Sequence, residues 1–207
     1  MSELFMENSY SFAPYLLTPR LCLRMPSNER SEILQYLAAV EESLPRLKSW
    51  MPWAKQPINE AWLTKYIGIV HDYWKNLKLR DVRLVLWIFE RETGCFVGNV
   101  IMWNIAWDIP KLEIGYWLRT TAIGQGYMTE AINALSRYVF RVFHVARIEI
   151  RCEIKNLTAQ KVPERLNFCK EGVLHHSFRA VSDRSLTDTV IFALTDPRQL
   201  PPLEVHW

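Results

Sequence analysis

The chain has 207 residues, 49% of them apolar, and 25 Lys and Arg against 22 Asp and Glu give a formal net charge of +3. That length and apolar content suffice for one domain with its own core. Charges of both signs are interspersed without the clustered Lys/Arg that nucleic acid demands, and no apolar run nears the ~20 residues of a membrane span. The opening segment MSELFMENSYSF has no basic residue and no apolar stretch of signal-peptide length, which points to a cytoplasmic protein. Cys22, Cys95, Cys152 and Cys169 form no Cys-x-x-Cys pair and read as reduced thiols, mostly small core residues.

Leu16–Met25 alternates after Pro19, with Leu21 and Leu23 on one face and Cys22 and Arg24 on the other, and is read as a strand. Ser27 or Asn28 can cap a helix to about Ser43, with Ile33, Leu34, Leu37 and Val40 apolar. Pro45, Pro52 and Pro57 then break the chain into a tryptophan-rich connector, PRLKSWMPWAKQP. Asn59 caps a second helix to about Leu77, with Trp62, Tyr66, Ile69, Val70 and Tyr73 on one side. Val82–Glu90 and Cys95–Trp103 are strands joined by a hairpin turn at Glu92-Thr93-Gly94. Pro110 precedes a strand over Leu112–Leu118.

The spacing of Ala131, Leu135, Tyr138 and Val142 predicts a helix from about Gln125 to Phe143 with those residues toward the sheet. Ala146–Ile154 alternates strictly, with Ile148, Ile150, Cys152 and Ile154 on one face and four charged residues on the other. Asn156 caps a further helix to about Leu166, which Pro163 should kink. Phe168–His176 and Leu186–Leu194 complete seven strands. Residues 196–207, with three prolines, read as an irregular tail on a single domain whose core spans about 15–195. There is no internal repeat.

Within this order, LEIGYWLRTTAIGQGYMTEA (residues 112–131) is the most informative stretch: a buried strand, a Gly-Gln-Gly loop and a first helical turn. Glycines let a backbone approach a ligand, and the unpaired N–H groups of a helix start face an anion. The backbone from Gly124 through Gln125, Gly126, Tyr127 and Met128 to Thr129 is therefore a candidate phosphate cradle. A plain strand-to-helix turn is the alternative.

Four collinear stretches across about residues 15–195 resemble the GNAT superfamily of N-acetyltransferases, specifically the RimJ/RimL type that acetylates N-termini of ribosomal proteins. They are LLTPRLCLR, SLPRLKSWMPW, the strand–loop–helix above, and RIEIRCEIKNLTAQKVPERLNFCKEGVL. The resemblance implies an α/β (α+β) fold: a mixed, mostly antiparallel seven-stranded sheet, flanked by helices and splayed between its fourth and fifth strands. It also implies acetyl-CoA bound in the gap, with no metal. The family's loop pattern, Gln/Arg-x-x-Gly-x-Gly/Ala, is met by Ile123-Gly124-Gln125-Gly126-Tyr127-Met128, with Ile123 in place of the polar first residue. Main-chain N–H groups do most of the holding in such a nest. Backbone groups of Tyr116, Trp117 and Leu118 are expected along pantetheine like an added strand, although core packing is the alternative for the two aromatics. Asn156 matches a pantetheine-contacting Asn, a role compatible with capping.

Glu113 is the candidate general base, where several superfamily members place one; an ordinary strand carboxylate is the alternative. Ala159 stands where enzymes of this type carry a proposed Ser acid, and Phe178 where they carry a proposed Glu base. Trp50 and Trp53, with Trp62 and Phe178, are the candidates for the acceptor side; a hydrophobic lid or dimer contact is the alternative, and a homodimer is compatible with tryptophan in the connector. Cys152 is read as a core thiol. The expected reaction is direct acetyl transfer to a primary amine, first a protein N-terminal α-amine. A small amine (amino acid, polyamine or antibiotic) is the second reading, and a CoA-binding protein with little catalysis the third.

Overall fold

The computed structural model describes residues 15–77 and 81–207; the reading of MSELFMENSYSF lies outside them. In chain order the elements are β1 (Tyr15–Leu17), β2 (Leu21–Arg24), α1 (Arg30–Trp50), a 3₁₀ turn (Pro52–Lys55), α2 (Glu60–Lys75), β3 (Leu84–Glu90), β4 (Phe96–Ala106) and β5 (Lys111–Leu118). After them come α3 (Tyr127–Val142), β6 (Arg147–Glu153), α4 (Leu157–Arg165), β7 (Cys169–Arg179) and β8 (Leu186–Leu194). The strands form one mixed sheet in the order β1-β2-β3-β4-β5-β6-β8-β7, in which only β5 and β6 run parallel.

The sheet has eight strands rather than seven because the first splits. Thr18-Pro19-Arg20 turns the chain back on itself, Thr18 N–H donating to Leu21 C=O at 2.9 Å and Leu21 N–H to the Thr18 hydroxyl at 2.9 Å. The expected splay is therefore between β5 and β6. Their pairing stops after Lys111↔Arg147, Leu112↔Ile148 and Glu113↔Glu149. β5 continues to Leu118 with nothing from β6 beside it, while β6 turns its other edge to β8 as far as Glu153.

Helix α1 runs to Trp50 with Pro45 inside it, past the expected end near Ser43. A proline in a helix interior costs about 3 kcal/mol, but Val40 and Leu47 on the turns around it are buried, which offsets that cost, and the buried Ser43 hydroxyl is satisfied by Thr120 N–H. Neither Ser27 nor Asn28 caps the helix. The N-cap is Glu29, and the Ser27 hydroxyl instead donates to Glu32 at 2.8 Å. Asn59 does cap α2, accepting from Trp62 N–H at 2.9 Å. The buried face of α2 is Leu63, Ile67, Val70 and Trp74, while Trp62 and Ile69 are exposed. Both stripes of α2 are apolar, so periodicity alone did not choose between them. The stacking of Trp62 on Tyr66 at 5.2 Å accounts for part of the outer stripe.

Helix α3 buries Ala131, Leu135 and Tyr138 as expected. The tail is irregular but docked. Asn133 Nδ2 donates to Pro201 C=O at 2.9 Å, Trp207 meets Tyr138 edge-on at 5.7 Å, and His206 exchanges backbone bonds of 2.8 and 2.9 Å with Leu17. Of the cysteines only Cys152 is buried; Cys95 and Cys169 are exposed. No helix among the described residues is long and apolar enough to cross a membrane.

Candidate active site

Arg119 N–H bonds Val97 C=O at 2.9 Å, and the β4–β5 register is unbroken from Gly98↔Leu118 to Trp103↔Glu113. Strand alternation then turns the main-chain groups of Glu113, Gly115 and Trp117 toward β4 and those of Ile114, Tyr116 and Leu118 into the splay. Tyr116 and Leu118 thus lie on the open edge, and Trp117 does not. Its backbone belongs to β4, and its ring packs at 5.7–5.8 Å against Tyr36, Trp53 and Phe96. The Trp117 indole N–H is buried without a partner.

Beyond Leu118 the chain enters the glycine loop. Gly124 and Gly126 both have left-handed backbones, at φ 84° and 79°, which side-chain-bearing residues adopt only at a cost. Gly126 is the N-cap of α3, and the first intrahelical bond runs from Glu130 N–H to Gly126 C=O at 3.0 Å. The N–H groups of Tyr127, Met128 and Thr129 precede that bond and have no acceptor within the helix. The two left-handed glycines also fix how the loop pattern aligns. Its polar first position falls on Thr121, three residues before Gly124, and not on Ile123.

A brace that sequence reasoning missed holds this loop from α1. Glu42 accepts from Thr121 N–H at 2.8 Å, from the Thr121 hydroxyl at 3.0 Å and from Arg119; Ser43 accepts from Thr120 N–H at 2.9 Å; Arg46 donates to Leu118 C=O. Burial pushes the Glu42 carboxyl up, but Arg119 and Thr121 outweigh it and hold it below the usual range. A second brace comes from the β1–β2 turn, where Arg20 reaches Glu130 and Gln125.

Across the splay, Asn156 caps α4, its Oδ1 accepting from Ala159 N–H at 3.2 Å. Its amide N–H₂ makes no hydrogen bond among the described residues. Pro163 has no N–H for the Ala159 carbonyl one turn before it. That carbonyl is instead taken by the Tyr116 hydroxyl at 2.8 Å, which ties β5 to α4 over the gap. Burial keeps the Tyr116 hydroxyl protonated, its pKa well above the usual value. Position 159 carries no hydroxyl of its own, and Tyr116 delivers one there. Burial likewise pushes the Cys152 thiol to about 12, leaving it un-ionised at neutral pH.

Glu113 sits at the apex of the splay, 7% exposed, with its side chain on the α1 face of the sheet. Burial raises its pKa, against Asn104 Nδ2 donating to Oε2 at 3.0 Å and Arg151 at 3.7 Å. Asn104 takes a left-handed backbone, φ 48°, at the β4 irregularity. The Trp103 ring crosses β5 beside Glu113 because Gly115 has no Cβ; one there would lie 2.5 Å from the indole. A cavity of about 170 Å³ opens at this point, lined by Asn104, Lys111, Leu112, Glu113, Glu149 and Arg151. A larger groove, about 370 Å³ between α3 and the tail, holds none of the candidate residues.

The expected acceptor-side aromatics divide. The 3₁₀ turn carries Trp53 onto Trp117 at 5.8 Å, and Lys55 donates to Val181 C=O, so this turn bridges the end of β5 and the β7–β8 turn. Trp50 ends α1 immediately before it. Phe178 lies within β7, which runs three residues past its expected end. It pairs with Thr187 and is 45% exposed, outside the aromatic cluster. Trp62 faces outward on α2. No group of three or more His, Cys, Asp or Glu able to hold a metal occurs among the described residues.

The sequence matches the acetyltransferase (GNAT) domain over residues 20–169. It is 36% identical over 77 residues to the ribosomal-protein-serine acetyltransferase of Escherichia coli (strain K12), covering 37% of this chain and 43% of that one. It is 32% identical over 107 residues to an uncharacterized N-acetyltransferase, p20, of Bacillus licheniformis, covering 52% and 59%. The chain thus spans about half the length of the curated relatives it matches. Among solved structures, RimL, a ribosomal L7/L12 alpha-N-protein acetyltransferase in complex with coenzyme A, superposes with a TM-score of 0.74 at 20% identity, covering 86% of this chain and 95% of RimL. The microcin C7 self-immunity acetyltransferase MccE, in complex with acetyl-CoA and AMP, gives 0.75 at 22%, covering 86% and 93%.

Proposed function

This chain belongs to the GNAT acetyltransferase family, and on that premise we propose that it moves an acetyl group from acetyl-CoA to a primary amine by direct attack in a ternary complex. The acceptor we propose is a protein N-terminal α-amine of the ribosomal-protein type. The observation that carries the reading is the unpaired edge of β5, which leads straight into a left-handed glycine loop and the open N-terminus of α3. Backbone N–H groups from Gly124 to Thr129 receive the pyrophosphate. Main-chain groups of Tyr116 and the N–H of Leu118 pair with the pantetheine arm, and the amide of Asn156 reaches it from α4. An N–H of the same edge polarises the thioester carbonyl.

The amine enters from the α1 face, under Trp53 and beside Trp50, with Phe178 at the rim. Glu113 takes its proton directly or through one water, nitrogen attacks the carbonyl, and the C–S bond breaks. The departing thiolate, of pKa ~8.5, leaves ionised and takes its proton from water, while the Tyr116 hydroxyl, held protonated by burial, donates it a hydrogen bond. The buried, un-ionised Cys152 thiol supports direct attack over an acyl-enzyme. A single modest base suits an α-amine of pKa ~7.7–8, roughly a tenth neutral at pH 7, far better than a Lys amine at ~10.4. The E. coli relative, a ribosomal-protein-serine acetyltransferase, and RimL, an alpha-N-protein acetyltransferase, support the same acceptor.

Release of CoA from acetyl-CoA, measured against peptides with free N-termini, polyamines, amino acids and aminoglycosides, tests this reading. Turnover confined to the peptides is expected. Turnover confined to small amines moves the acceptor to that class, and tight binding with no turnover on any acceptor leaves a CoA-binding protein.

Tyr116→Phe tests the hydrogen bond to the departing thiolate. It is expected to lower kcat about tenfold at neutral pH, the effect of one hydrogen bond to a charged group. It should leave the affinity for acetyl-CoA within about twofold. A loss confined to affinity would make the hydroxyl only a tie to α4.

A further inference from the structure

Arg20 lies 110 residues from Glu130 in sequence, yet the Thr18-Pro19-Arg20 turn is fastened to Glu130 in the first turn of α3 by three hydrogen bonds and an ion pair, and to the glycine loop before it by a fourth hydrogen bond. The Thr18 hydroxyl donates to Glu130 Oε1 at 2.6 Å and Arg20 N–H to the same oxygen at 3.1 Å. Arg20 Nε donates to Glu130 Oε2 at 2.6 Å, and its Nη2 lies 2.6 Å from that oxygen. The fourth bond goes elsewhere: Arg20 Nη1 donates to the Gln125 carbonyl at 2.9 Å. The guanidinium lies over the Tyr127 ring, 4.8 Å from its centre.

Gln125 and Gly126 share a trans peptide, in which C=O and N–H point in opposite directions. Fixing the Gln125 carbonyl on Arg20 therefore fixes the Gly126 N–H on the other side of the loop. A peptide flanked by glycine can also turn over, because Gly126 accepts either sign of φ. The turned-over loop would present a carbonyl oxygen where the cradle requires a donor. We propose that Arg20 is a positioning residue for this loop: its hydrogen bond to the Gln125 carbonyl selects the peptide orientation that offers the Gly126 N–H to the pyrophosphate of acetyl-CoA. Glu130 balances the charge of Arg20 and holds its guanidinium in place, so the effect runs through the backbone rather than through contact with phosphate. The inference rests on the loop being the pyrophosphate site, as proposed above.

The test uses intrinsic tryptophan fluorescence to titrate the full chain with acetyl-CoA and with S-acetylpantetheine, which lacks the phosphates. Arg20→Met is expected to weaken acetyl-CoA about tenfold, the effect of one lost hydrogen bond to a charged group. S-acetylpantetheine affinity should stay within about twofold. The double variant Arg20→Met/Glu130→Gln, which leaves no unpaired carboxylate beside α3, is expected to repeat that selective loss. Equal losses for both ligands, or unchanged acetyl-CoA affinity in both variants, overturns the role given to Arg20. A wild-type chain that does not bind acetyl-CoA overturns instead the assignment of the loop.

Discussion

Gly126→Asp is expected to weaken acetyl-CoA binding by at least a hundredfold while the chain still folds. Asp tolerates a left-handed backbone better than most residues, so the φ of 79° at this position does not forbid the substitution. A Cβ there meets only Arg20 Nη2, at 3.5 Å, the end of a flexible side chain. The damage is electrostatic. A carboxylate at the N-cap of α3 satisfies the N–H groups that the pyrophosphate would otherwise occupy and repels the phosphates themselves. At ~4 Å and an effective dielectric constant of ~20, one such repulsion is worth about 4 kcal/mol, or roughly three decades in Kd. Gly126→Ala, which adds backbone strain without charge, is expected to fall between wild type and Gly126→Asp. Calorimetric titration of the three proteins checks the order. Full affinity in the Asp variant would place the phosphates elsewhere.

The second large effect is Glu113→Gln. General base assistance is worth ~10²–10⁴-fold, and that is the loss expected in kcat/KM at pH 7. The amide can still receive the Asn104 hydrogen bond, so thermal stability should stay near that of the wild type. The pH profile gives the sharper reading. Burial raises the Glu113 pKa above the ordinary carboxylate value, and Asn104 and Arg151 pull it only part of the way back. A base acts ionised, so wild-type kcat/KM rises as pH climbs through that raised pKa. The Gln variant keeps only the rise that belongs to deprotonation of the acceptor amine. Identical profiles for both proteins would assign the carboxylate to the network around Arg151 and Glu149 and not to proton transfer.

The strand, the loop and the helix that begins within residues 112–131 were legible in sequence because each has a local signature: a short, largely apolar run after Pro110, two glycines, and apolar residues at helical spacing. Local signatures decided less where two outcomes share one pattern. Helix α2 offers two apolar stripes, and only packing on the sheet selects Leu63, Ile67, Val70 and Trp74 over the stripe containing Trp62. Pro45 reads as a break, but the burial of Val40 and Leu47 carries α1 through it. The site's supports were not legible at all. Glu42 clamps Thr121 from 79 residues away, and Arg20 meets Glu130 from 110. No periodicity signals a contact of that span. Phe178 was placed by position in a family pattern, whereas the extension of β7 to Arg179 puts it on an exposed edge strand. At Tyr116 the sequence speaks for the backbone alone; the place of its hydroxyl follows from the missing donor at Pro163, which leaves the Ala159 carbonyl to be filled.

The central claim is that acetyl-CoA lies in the splay, along the open edge of β5 and against the start of α3. Amide hydrogen exchange with and without acetyl-CoA tests it residue by residue. The account predicts that the cofactor slows exchange at Tyr116 and Leu118 and from Gly124 to Thr129, with little change at Trp117, whose N–H already faces β4. Protection absent from that stretch and found instead along the groove between α3 and the tail, at Arg137, Arg141 and Trp207, would contradict it.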